Sequence, residues 1–185
     1  GEAEKKAAEV FGADRTYFVT GGTSAANKIV WLATVTPGDI VLVDRNCHAS
    51  VMHAIIMTGA VPVYLIPARN EYGIIGPIHS REFLPEVIEE KIRDCPLIED
   101  LPSRTVRMAV ITNTTYDGIC YSTERIEEHL QGVVPYLHYD EAWSAYAKFH
   151  PLYAGRFGMH RAEAAGPTVF ATQSTHKVLA AFSQG

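Results

Sequence analysis

Short, continuously apolar runs separated by amphipathic segments constrain this chain more than any other feature. The runs are TYFVT (Thr16–Thr20), IVLVD (Ile40–Asp44), VPVYLI (Val61–Ile66), VRMAVIT (Val106–Thr112), VVPYLHYD (Val133–Asp140) and PTVFATQS (Pro167–Ser174). A half-exposed strand alternates apolar and polar residues, whereas one covered on both faces does not. Helical patterns lie between most of them: GGTSAANKIVWLATV ahead of Pro37-Gly38-Asp39, Ala49–Met57, Arg81–Arg93 with Pro85 in its first turn, and Thr123–Leu130. Strand, helix, strand repeats of this kind give βαβ units. The expected fold class is therefore α/β, a mainly parallel sheet with helices on both faces. ARNEYGIIGPI and Asp94–Arg104 read as connections.

With 185 residues, 47% of them hydrophobic, the chain can bury one sizeable core. A net charge of −5 without a basic run speaks against nucleic acid as a partner. Cys47, Cys95 and Cys120 are odd in number and lack CxxC spacing, as expected of free thiols in a reducing, cytoplasmic setting. The apolar stretch Ala49–Ala68 is broken by His53, Gly59 and Pro62, so no membrane span is expected.

In a parallel sheet, ligands collect at the carboxyl ends of the strands. Polar groups stand there after five of the runs: Gly21–Ser24, Arg45–His48, Asn113–Asp117, Asp140–Trp143 and Ser174–Lys177. Gly21-Gly22-Thr23-Ser24 suits an anion, because glycines let the backbone approach and a helix start offers free N–H groups and hydroxyls. It also suits an ordinary turn with an N-cap. Asp140 could meet a cationic ring nitrogen or cap a helix. His48 could stack on an aromatic ligand or cap a helix. Lys177, beside His176, could be a nucleophilic amine or a surface lysine reaching water. The spacing of His48 and His53 is wrong for a metal-binding helix face, and His138 with Asp140 lacks a third ligand; no metal site is expected.

Taken together, TQSTHK (Thr172–Lys177) with FSQ (Phe182–Gln184), GGTSAANK (Gly21–Lys28), DRNCHAS (Asp44–Ser50), ITNTTYDGICY (Ile111–Tyr121) and HYDEAWSAYAKFHPLY (His138–Tyr153) resemble the bacterial ornithine/lysine/arginine decarboxylases. The resemblance runs through nearly the whole chain. It implies the large domain of a fold type I pyridoxal phosphate enzyme. Lys177 would form the imine with the cofactor aldehyde, and Asp140 would bind the pyridine nitrogen. His48 would stack on the ring and Trp143 would line the site. Thr23 and Ser24 would hold the phosphate with help from Ser174, and His176 would sit beside the reacting centre. Gly21 stands where many relatives have Asn.

The implied reaction is α-decarboxylation of a basic amino acid, with arginine favoured over lysine, in a homodimer. The alternatives are an aminotransferase or lyase on the same fold, and an inactive regulatory relative. The resemblance also implies a partial domain, without an N-terminal segment, the last sheet strand and the C-terminal domain. An open sheet, a loosely held TYFVT strand and little activity are expected of the 185 residues alone.

Overall fold

A computed structural model describes residues 1–98, 105–160 and 166–181. The elements that build the fold are α1 (Glu2–Phe11), α2 (Gly22–Thr34), β1 (Ile40–Asp44), α3 (Ala49–Thr58), β2 (Val61–Leu65), β3 (Pro67–Arg69), β4 (Ile75–Ile78), α4 (Pro85–Arg93), β5 (Val106–Thr112), α5 (Thr123–Leu130), β6 (Tyr136–Glu141), β7 (Thr168–Gln173) and α6 (Thr175–Val178). A sheet runs in the order β2-β1-β5-β6-β7, and every pairing in it is parallel. The expected fold class holds.

The central strands show why their sequences lack alternation. Side chains of a strand point to opposite faces in turn. Ile40 and Leu42 of β1 enter a core with Ile88 of α4 and Ile126 and Leu130 of α5. Val41 and Val43 enter a second core with Trp31 of α2 and Val51 and Ala54 of α3. All five residues of β1 are buried. Each fully buried aliphatic side chain contributes roughly 1.5–3 kcal/mol, so both layers of helices are held on.

Local signals set the helix ends. Gly59 terminates α3 in the left-handed conformation at φ 67°. Pro85 occupies the first turn of α4, where its missing N–H costs nothing. This splits the expected Arg81–Arg93 helix into a 3-10 turn, Ser80–Phe83, and α4 proper.

Two further expectations need correction. ARNEYGIIGPI is not only a connection: β3 and β4 pair antiparallel across its Asn70–Gly73 turn. TYFVT is not a strand. A strand needs a neighbour for its backbone hydrogen bonds, and none of the described strands flanks this segment. Its Phe18 N–H donates instead to Glu4 Oε1 at 3.1 Å, and Tyr17 and Phe18 are exposed. The Phe182–Gln184 motif, and residues 99–104 of the Asp94–Arg104 connection, lie outside the described residues.

Candidate active site

Strand order reverses beside β1: β2 lies on one side of it and β5 on the other. Such a switch point opens a crevice at the carboxyl ends. Asp44, at the end of β1, spans it. Its Oδ1 accepts the Asn46 N–H at 2.8 Å and its Oδ2 the Thr112 N–H at 3.3 Å. Burial pushes the Asp44 carboxyl up, and those two N–H groups pull it back. Just beyond β5, Thr114 holds φ 123°, in a region that side chains branched at Cβ avoid. Backbone strain of this sort costs about 1–3 kcal/mol and gathers at functional sites.

The sequence-selected residues fall into two groups. Thr23, Asp140 and Ser174 are buried; Ser24, His48, Trp143, His176 and Lys177 are exposed. The Thr23 and Ser174 hydroxyls share a hydrogen bond that joins the first turn of α2 to the end of β7. Gly21 precedes α2 and provides no side-chain cap, and a Cβ on it would meet the Ala25 methyl at 2.7 Å. Gly22 takes φ 70°. A bare helix start is the result, with a hydroxyl on each side.

Asp140 ends β6 and is 3% exposed. Its Oδ1 accepts the Ala142 N–H at 3.2 Å and its Oδ2 accepts Asn27 Nδ2 at 2.9 Å. His48 caps α3: its Nδ1 accepts the Ser50 N–H at 3.1 Å and lies 2.8 Å from Ser50 Oγ. Lys177, in α6, holds its ammonium 4.9 Å from the centre of the Trp143 ring, a cation–π contact. Trp143 lies three residues past Asp140, so this contact brings the β7 end toward the β6 end.

Sequence reading missed the residues beneath these groups. Asn27 sits fully buried inside α2, where its side chain would ordinarily compete with the helix backbone. That poor placement was the available signal. Asn27 also touches Ser50 and Thr172, and Thr172 touches His138. Burial drives His138 down to about 4, although the neighbouring Asp140 carboxylate pulls the other way. Glu141 was missed as well. It gathers the loops after β5, β6 and β7 by accepting Asn113 Nδ2 at 2.9 Å, the Gly158 N–H at 2.6 Å and Gln173 Nε2 at 3.0 Å. Burial pushes this carboxyl up to about 7, against those hydrogen bonds. A cavity of about 600 Å³ between β2 and α4, lined by Pro62, Tyr64, Glu82, Val87 and Lys91 among others, contains none of these residues.

The family model of the Orn/Lys/Arg decarboxylase major domain matches residues 1–185. The chain belongs to that family. It is 58% identical over 184 residues to lysine decarboxylase LdcA of Pseudomonas aeruginosa, covering 99% of this chain and 24% of that protein. It is 49% identical over 187 residues to the biodegradative arginine decarboxylase of Escherichia coli, covering 100% of this chain and 25% of that protein. The solved structure of lysine decarboxylase A from P. aeruginosa superposes with a TM-score of 0.91 at 57% identity, over 99% of this chain and 24% of that one. The chain thus spans about a quarter of the length of these relatives.

The residues of this major-domain chain could hold a phosphorylated pyridine aldehyde. Thr23, Ser24, Ser174 and the bare α2 start suit the phosphate. Asp140 has one N–H on each oxygen and keeps acceptor capacity for a ring N–H. Lys177 supplies the amine and His48 a flat, exposed ring. The described helices include none long and apolar enough to cross a membrane.

Proposed function

We propose that the protein carrying this chain is a pyridoxal phosphate-dependent decarboxylase of a basic amino acid, lysine or arginine. The observation that carries the reading is that α2 is hydrogen-bonded through Thr23 to Ser174 and through Asn27 to Asp140 at the carboxyl ends of β7 and β6, with Lys177 in the helix after β7, in a chain of the decarboxylase family. The sequence motifs STHK and DEAW resemble the lysine and arginine members more than the ornithine ones, with a weak lean to arginine. The identities, 58% to a lysine decarboxylase and 49% to an arginine decarboxylase, favour lysine, so both belong in the first substrate screen.

Bound cofactor supplies an electron sink for the pair left behind when the bond from the α-carbon to the carboxylate breaks and carbon dioxide departs. The chain's own residues do the rest. Lys177 would be the amine that holds the cofactor aldehyde and yields it to the substrate amine. Asp140, acceptor-only, favours a proton on the ring nitrogen. Thr23, Ser24 and Ser174 would hold the phosphate, and His48 would stack on the ring. Lys177 or His176 delivers the proton that replaces carbon dioxide on the α-carbon.

Borohydride reduction of the intact protein with pyridoxal phosphate, followed by peptide mapping, tests this. A cofactor adduct on Lys177 is expected. An adduct on a different residue, or a keto acid in place of an amine product, would sink the reading.

A further inference from the structure

One hydrogen-bond network runs beneath the site from His48, at the start of α3, to His138 in β6. A backbone N–H cannot reverse its direction. The Ser50 N–H points at His48 Nδ1, so that nitrogen must be an acceptor. The Ser50 hydroxyl lies 2.8 Å from the same atom and shares that one acceptor with its own backbone N–H. Ser50 Oγ accepts from the Asn27 amide nitrogen, 2.9 Å away. The second proton of that nitrogen meets Asp140 Oδ2 at 2.9 Å. The amide oxygen is thereby turned to Thr172, whose hydroxyl donates to it at 2.6 Å. Thr172 Oγ then accepts from His138 Nε2 at 3.0 Å. His138 is left with a buried Nδ1 that has no hydrogen-bond partner among the described residues.

The Asp140 carboxylate accepts only, so the Asn27 amide nitrogen faces it, the same orientation that puts a donor on Ser50 Oγ. The opposite polarity would need a protonated Asp140 donating to a flipped Asn27. That would turn the Ser50 hydroxyl away from His48 and put two lone pairs face to face. The Ala142 N–H, also fixed, makes the other oxygen of Asp140 an acceptor.

We propose that Asn27 is the positioning residue of this site: its amide, oriented by the start of α3 through His48 and Ser50, holds Asp140 as a pure hydrogen-bond acceptor aimed at the cofactor ring nitrogen. The inference rests on the proposed cofactor reading. It ties Asp140 to His48 through two side chains, Asn27 and Ser50. Asn27 touches neither substrate nor cofactor; it acts through Asp140.

The test uses the intact protein loaded with pyridoxal phosphate carrying nitrogen-15 at the ring position. In the unsubstituted protein the ring-nitrogen resonance is expected at its protonated position. Asn27→Leu keeps the volume but removes both donors, leaving Asp140 free to compete for the ring proton. The resonance is expected to move toward the unprotonated position, with cofactor affinity weaker by about tenfold. Ser50→Ala leaves Asn27 in place but frees its amide to flip, and a smaller shift in the same direction is expected. It also keeps the test open if Asn27→Leu does not fold. A resonance unmoved in the folded, loaded variants overturns the inference alone, leaving the Lys177 adduct and the proposed function intact. An unsubstituted protein that takes up no cofactor on Lys177 overturns both.

Discussion

The site has a buried floor and an exposed rim, and they are built by different means. The floor is Thr23, Asn27, Asp140, Thr172 and Ser174, all buried and linked by hydrogen bonds between α2, β6 and β7. The rim is Ser24, His48, Trp143, His176 and Lys177, all exposed. Floor groups have their partners now, so their geometry exists before any ligand arrives. At the rim, His48 is held by Ser50, whereas Lys177 meets Trp143 through an exposed cation–π contact. Pre-organised charge is worth most where water is excluded. The part of the site that governs electrons is thus rigid, and the part that must exchange one amine for another is open.

If that division is right, floor substitutions should cost more than rim substitutions that spare Lys177 itself. The largest effect is expected from Asp140→Ala, a loss on the order of 10²–10³ in kcat of the intact protein, measured with saturating cofactor. A loss smaller than that of Trp143→Leu would break the comparison. Next comes Thr23→Val, which removes a hydroxyl from both the Ser174 bond and the phosphate turn. Cofactor affinity should fall about 10- to 100-fold by fluorescence titration, with kcat at saturation nearly kept.

A third expectation concerns pH. His138 lies in the floor with its folded value near 4, below its ordinary 6.5. The unfolded chain binds the extra proton first. The stability this histidine contributes is therefore fully present above 6.5 and is lost as pH falls toward 4. Glu141, beneath the rim loops, has the opposite sign: raised from 4.5 to about 7, it costs stability as pH rises through that window. Thermal melts of His138→Asn should flatten on the acid side, and those of Glu141→Gln toward neutral pH. Parallel curves for wild type and both variants would remove these two groups from the account.

The smallest effect is expected at the rim. Trp143→Leu deletes a cation–π contact on an exposed ring, worth about 0.5–1 kcal/mol. A shift in melting temperature within a degree or two is the expected outcome, and a large drop would move Trp143 into the floor.

Much of this was legible beforehand because it is local. Continuous apolar runs reported a sheet covered on both faces, and helix starts and stops followed from Pro85 and Gly59. The motif residues at strand ends were found for the same reason: a parallel sheet puts all its carboxyl ends on one side. TYFVT shows where local reasoning fails. Its composition suits a strand, but strand formation depends on a neighbour, which β-propensity does not report.

The sequence by itself determined the fold class, the family and the identity of the groups that could carry the chemistry. Periodicity and short motifs are properties of neighbouring residues. Only the tertiary structure decided which of those groups are buried, and which silent residues hold them. Asn27 and Asp140 are 113 positions apart, and Asn27 and Thr172 are 145 apart. No local pattern relates them; folding buries them within hydrogen-bond distance of one another, where buried donors need acceptors.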